Sequence, residues 1–92
     1  MSVAETIREK LTQALVPSEL IVEDESAKHA GHSGSRPEGE THFRVRIVSD
    51  AFEGLSRIER QRRVYAILQD ELRTRVHALA LATLAPGETM AN

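Results

Sequence analysis

The feature that most constrains the fold is an alternating stretch in the middle of the chain, THFRVRIVS at residues 41–49. Apolar residues alternate with polar ones along it, as Phe43, Val45 and Ile47 against His42, Arg44 and Arg46. Successive side chains of a strand point to opposite faces, so this pattern is typical of a strand with one buried face. The chain is therefore expected to form a sheet that other elements cover on one side.

A first helix is predicted before this strand. Ser2 and Glu5 have the spacing of a capping box, which marks a helix start. The residues that recur at helical intervals are Val3, Ile7, Leu11 and Leu15. Pro17 ends the run because proline cannot continue a helix.

A second helix and two more strands are also indicated. The strands are predicted at residues 19–26 and 76–84, and the helix at about 56–73, after a turn that contains Gly54. At about 100° per residue, one arc of this helix carries four apolar residues and one polar residue. They are Ile58, Tyr65, Leu68 and Leu72, and the polar residue is Gln61, which is expected to find a partner or to lie at the rim.

The resulting order is α-β-β-α-β. The connection from the second strand through the helix to the third is long enough for a right-handed crossover, which makes these two strands parallel if they are neighbours. We therefore predict an α+β fold, a three-stranded mixed sheet with helices packed on one face. A single domain is expected over residues 1–86, followed by a frayed tail at 87–92.

The absence of cysteine limits both the chemistry and the expected location. With 0 cysteines among its 92 residues, the chain has no disulfide, no cysteine-bound zinc and no self-sufficient iron–sulfur site. A small domain without disulfides is typical of an intracellular protein. We expect no membrane span or signal peptide, and a location in the cytoplasm of a bacterium or in an organelle matrix.

An enzyme is not expected. The serines are mostly in turn and cap positions, and the glycine-rich segment joins two strands without a phosphate-binding motif. Asp24 and Glu25 point to opposite faces of a strand, so their carboxylates do not converge.

The histidines suggest metal binding. The segment KHAGHSGSRPEGETH, residues 28–42, places His29 three residues before His32, which fits either a metal ligand pair or solvated loop histidines. The phase of His77 with neighbouring leucines favours a packed, hydrogen-bonded side chain over a ligand, and His42 is expected to be solvated. Parallel pairing would nevertheless bring His77 to the sheet edge where the glycine-rich loop enters the second strand.

Four arginines suggest nucleic-acid binding. They lie in the first half of the second helix, where the helix dipole disfavours positive charge, and they are Arg57, Arg60, Arg62 and Arg63. Such a placement fits either phosphate recognition or a solvated basic face. The element order is that of a KH fold, but the GXXG loop and the stacking aromatic residues of RNA-binding proteins are missing.

Taken together, several stretches resemble the BolA family. They are DES, followed by a loop histidine, then ETHFRVRIVSDAFEG, RQRRVYAILQDEL and VHALALATLAP. The resemblance runs from the first helix to Pro86 and implies a class II KH-like fold. The family often has R-H-R where this chain has RQR, so Gln61 replaces a histidine and the role of that imidazole is in doubt here.

The resemblance also implies a partner and a cofactor. BolA-like proteins associate with monothiol glutaredoxins and share a [2Fe–2S] cluster, to which the partner contributes a cysteine and bound glutathione. Carried over to this chain, the strand ligand is His77 and the loop ligand is His29, with His32 as the alternative. Other family members regulate transcription, for which Arg57, Arg60, Arg62 and Arg63 would form the DNA-binding surface.

Overall fold

A computed structural model describes residues 2–25 and 41–88. The first helix, α1, spans Val3–Leu15 and begins with the predicted capping box between Ser2 and Glu5. Its four predicted core residues are all buried: Val3, Ile7, Leu11 and Leu15. Just before Pro17, the chain turns at Val16, which has a left-handed backbone conformation with a φ of 43°.

The sheet has the order β1-β2-β3. Strand β1 spans Glu19–Asp24 and pairs antiparallel with β2, His42–Val48, which pairs parallel with β3, Ala78–Leu84. The α+β fold with a three-stranded mixed sheet is thereby confirmed. The alternation in β2 is confirmed too, because Phe43, Val45 and Ile47 are buried while Arg44 is exposed.

A short 3-10 helix follows β2 at Asp50–Phe52 and inserts the fully buried Phe52 into the core. Ser49 ties this corner together, since its hydroxyl donates to the Leu15 carbonyl at 2.6 Å and its amide donates to Leu84 at 3.0 Å. The turn then needs a positive φ at Gly54, where it is 77°.

The predicted second helix is divided in two. Helix α2 spans Arg57–Ile67 and α3 spans Gln69–Thr74. Between them lies Leu68, which has a φ of −100° and a ψ of 19°, outside the helical range. Hydrogen bonding continues on both sides of this residue, and its side chain is buried, so the bend is anchored in the core.

The predicted apolar arc of α2 is partly wrong. Ile58 and Tyr65 are 61% and 41% exposed, whereas Val64 and Leu68 are buried. The core-facing stripe is centred on Val64, and Arg60 occupies the position one turn before it. The sequence pattern does not reveal which face of α2 is buried, because Arg60 is counted as polar although its long aliphatic stem packs like an apolar side chain.

No helix in the part of the chain that the structure describes is long and apolar enough to cross a membrane.

Candidate metal centre

The N-terminal ends of β2 and β3 meet at one edge of the sheet. His42 is in register with Ala78, the first residue of β3. The backbone amides of His77 and Ala78 both donate to the carbonyl of Thr41, at 2.7 and 3.2 Å. The predicted parallel pairing is therefore confirmed, and it places His77 beside the start of β2.

Both residues that flank the segment 26–40 lie at this same edge. Thr41 bonds to His77 as described, and the Glu25 amide donates to the carbonyl of His42 at 2.7 Å. The two predicted loop ligands, His29 and His32, lie outside the described residues. The chain thus leaves and re-enters the sheet beside His77.

His77 is exposed, so the interpretation as a packed core histidine is wrong. Val76, not His77, enters the core here, with 7% of its surface exposed. Because β3 begins only at Ala78, His77 does not follow the side-chain alternation that its spacing from Leu79 and Leu81 suggested. Its imidazole is accessible to a ligand or a partner.

His42 was expected to be solvated, and this expectation is also wrong. Its ring is half-buried and stacks on that of His77, with 6.2 Å between ring centroids and an angle of 15° between ring planes. Its Nδ1 lies 2.8 Å from the hydroxyl oxygen of the fully buried Thr41. The parallel register, which brings His42 level with the residue after His77, was the one signal that could have revealed this pair.

The donor set at this edge fits a site shared with another molecule. Among residues 2–25 and 41–88, no group of three or more histidine, cysteine, aspartate or glutamate side chains could hold a metal ion. Imidazole is an established ligand of [2Fe–2S] clusters beside thiolates. A cluster here would need further ligands from segment 26–40 and, because the chain has 0 cysteines, thiolates from a partner.

The four arginines of the predicted nucleic-acid surface differ in exposure and in contacts. Arg60 donates from Nε to the Leu55 carbonyl at 3.0 Å and from a terminal nitrogen to the Thr83 carbonyl at 3.2 Å. Its guanidinium also forms a two-point ion pair with Glu88, at 2.6 and 3.1 Å, and lies 5.9 Å from the centre of the Phe52 ring. Only 11% of its side chain is exposed, and its guanidinium is held by these contacts within the chain.

The remaining three arginines are exposed but are spread around α2. At about 100° per residue, Arg62 lies about 140° from Arg57, and Arg63 lies about 100° further on. They do not form one continuous basic face.

The Arg60–Glu88 pair also changes the titration of both groups. The hydrogen bonds from Arg60 and from the Ala85 amide lower the pKa of Glu88 from 4.5 to about 2, and the pair raises the pKa of Arg60. Glu88 lies within the segment 87–92 that was predicted as a tail, and its carboxylate accepts hydrogen bonds from Arg60 and from the Ala85 amide. Gln61 is half-buried on α2, in agreement with its predicted place at the rim.

Comparison with known proteins agrees with this architecture. The family model described as BolA-like protein matches residues 11–88. The chain belongs to the BolA-like family. It is 52% identical over 86 residues to SufE-like protein 1, chloroplastic/mitochondrial, of Arabidopsis thaliana, covering 89% of this chain but only 23% of that protein.

Two further matches widen the comparison. The solved structure of the BolA domain of SufE1 from Arabidopsis thaliana superposes with a TM-score of 0.86 and 50% identity, covering 97% of this chain and 98% of that one. The DNA-binding transcriptional regulator BolA of Escherichia coli (strain K12) is 47% identical over 83 residues, covering 90% of this chain and 75% of the regulator. BolA-like relatives therefore occur in plant organelles and in a bacterium.

Proposed function

We propose that this BolA-like chain is a non-enzymatic adaptor that binds a monothiol glutaredoxin and shares a [2Fe–2S] cluster with it. The cellular role would be iron–sulfur cluster assembly or trafficking, or iron homeostasis, in a bacterial cytoplasm or an organelle matrix. The observation that carries the proposal is the exposed imidazole of His77, placed where both flanks of segment 26–40 reach the sheet edge.

In this proposal the chain contributes two imidazoles. One is His77, and the other is His29, with His32 as the alternative within the same segment. The glutaredoxin contributes a cysteine, and its bound glutathione contributes the second thiolate. Imidazole is a neutral and weaker donor than thiolate, so such a ligand set raises the reduction potential of a cluster and makes it easier to transfer.

The proposal is tested by mixing the apo-protein with a cluster-loaded monothiol glutaredoxin and recording visible absorption and circular dichroism. We expect the spectrum to change as imidazoles of this chain become ligands, with an end point at one BolA-like chain per cluster. We expect His77→Ala to abolish the change.

Arg57→Ala is the matched control, because Arg57 is an exposed residue of α2 and is not part of the sheet edge where His77 lies. It should leave the spectral change intact. A spectrum that does not change with the wild-type chain, or a change that is still seen with His77→Ala, would contradict the proposal.

A second candidate function is DNA-binding transcriptional regulation. It is favoured by the likeness to the Escherichia coli protein, whose name carries this function, and by three exposed arginines on α2, Arg57, Arg62 and Arg63. The commitment of Arg60 to internal contacts and the spread of the other three weaken it.

The salt dependence of DNA affinity distinguishes this candidate. Each neutralised phosphate contributes about −0.9 to the slope of log K against log salt, so a complex in which all three arginines contact phosphates would have a slope near −3. Substituting the three arginines by glutamine should bring the slope towards zero. A wild-type slope near zero removes the candidate.

A further inference from the structure

Thr41 connects the backbone of His77 to the ring of His42. Its carbonyl accepts the amides of both His77 and Ala78, which fixes where the His77 side chain leaves the backbone. Its hydroxyl lies 2.8 Å from Nδ1 of His42. Thr41 is itself 0% exposed, so both contacts are made by a residue whose position is fixed by the surrounding core.

The ring of His42 contacts both Thr41 and the imidazole of His77. The contact with Thr41 occupies Nδ1 and so restrains rotation of the His42 ring. The restrained ring lies nearly parallel to that of His77, with an angle of 15° and a centroid separation of 6.2 Å. This separation is within the range at which aromatic rings attract one another, about 4.5–7 Å.

We propose that Thr41 and His42 are positioning residues that hold the imidazole of His77 in the orientation in which it binds a ligand. The inference rests on the proposed function for the identity of that ligand, but the orientation itself is a property of the isolated chain. His42 is not proposed as a ligand, because its role is exerted through the ring of His77.

The physical reason is that an exposed side chain is ordinarily free to change rotamer. His77 is exposed, so without a neighbour its ring would sample several orientations, and binding would have to restrict them. A ring already stacked on His42 loses less conformational entropy when it binds. Groups that hydrogen-bond to a metal-ligating histidine typically contribute 10–100-fold to metal affinity, and we take this range as the scale for a stacked neighbour.

The orientation is tested first in the isolated protein by NMR. Three-bond couplings report the χ1 rotamer of His77, and nitrogen-15 shifts report which ring nitrogen of His42 carries a proton. In the wild type we expect one dominant rotamer of His77 and one dominant tautomer of His42. In His42→Ala we expect averaged couplings for His77.

Two milder variants separate the stack from the hydrogen bond. His42→Phe keeps an aromatic ring without the nitrogens, so His77 should retain its preferred rotamer. Thr41→Val keeps the carbonyl and removes the hydroxyl, so the His42 tautomer preference should be lost. Arg46→Ala, on the same strand, is the control and should change neither signal. Couplings for His77 in His42→Ala that are the same as in the wild type would overturn the proposal.

The consequence for binding is measured with the cluster-loaded glutaredoxin titration. Relative to the wild type, we expect the apparent affinity to fall about 10- to 100-fold in His42→Ala and to recover at least partly in His42→Phe. If the wild type itself gives no spectral change, the proposed function fails while the NMR result still decides the positioning role. If wild type and His42→Ala bind equally well, the positioning role fails while the proposed function stands.

Discussion

Strand β3 has a polar side chain next to each of its ends, and the two differ in how far their polar groups are bonded within the chain. At the C-terminal end, Arg60 is directed inward and bonds to Leu55, Thr83 and Glu88, so its charge is satisfied within the chain. At the N-terminal end, the imidazole of His77 stays exposed beside its stacking partner His42.

The difference separates polar residues that stabilise the fold from those that remain available to bind a ligand or a partner. Arginine and histidine were both functional candidates by sequence, yet the arginine with the most contacts is a structural one. A buried charge must be paired and hydrogen-bonded, and the Arg60–Glu88 pair meets this requirement. An exposed histidine has no such requirement, so its position at the edge is open to a functional role.

The largest effect on stability is expected at the C-terminal end. Arg60→Met keeps the apolar stem but removes the hydrogen bonds that Arg60 donates to the Leu55 and Thr83 carbonyls and to the Glu88 carboxylate. We expect the free energy of unfolding to fall by about 1–3 kcal/mol, measured by urea denaturation at neutral pH.

Arg57→Met is the control for this substitution and should change the free energy of unfolding by no more than about 0.5 kcal/mol, because Arg57 is exposed. Equal stability of Arg60→Met and the wild type would show that the contacts of Arg60 at the C-terminal end of β3 do not stabilise the fold.

A smaller effect, which depends on pH, is expected from Glu88→Gln. The pKa of Glu88 is lowered from 4.5 to about 2 in the folded chain, so its ionised form favours folding. This contribution is fully present above pH 4.5, declines as the unfolded chain takes up the proton, and is lost as the pH falls through about 2. The glutamine variant should therefore be less stable than the wild type at pH 6, and the gap should close between these two pH values.

The unfolding free energies of both proteins, measured from pH 6 down to pH 2, test this expectation. Curves that run parallel throughout would mean that the Arg60–Glu88 pair does not couple folding to the protonation of Glu88.

The smallest effect on stability is expected at the N-terminal end. Because His77 is exposed, His77→Ala should change the free energy of unfolding by no more than about 0.5 kcal/mol. The two ends of β3 are compared most directly when stability and cluster uptake are measured on the same protein preparations. Arg60→Met should lose stability and keep uptake, whereas His77→Ala should keep stability and lose uptake.

Much of the fold follows from local patterns in the sequence. The capping box at Ser2 and the alternation of Phe43, Val45 and Ile47 each depend on residues close together in the chain, and both predictions are confirmed. The parallel pairing of β2 and β3 followed from the length of the crossover between them. These features are set by periodicity and chain connectivity.

The errors arose where a residue's environment depends on distant parts of the chain. The face of α2 was misjudged because Arg60 packs on Phe52 and pairs with Glu88, which lies 28 residues further along. The polar face of β2 predicts a solvated His42, which is wrong because the ring that stacks on it belongs to His77, 35 residues further along the chain. Contacts of this kind leave no periodic signal in the sequence.

The central claim is that His77 binds a cluster whose thiolates come from a partner. It is tested most directly by labelling only the histidines of this chain with nitrogen-15, forming the complex with cluster-loaded monothiol glutaredoxin, and reducing the cluster to its paramagnetic state. Pulsed electron paramagnetic resonance should then detect strong nitrogen-15 coupling in the wild type and should lose the His77 contribution in His77→Ala. A reduced complex without histidine nitrogen coupling, or with coupling unaltered in His77→Ala, would contradict the claim.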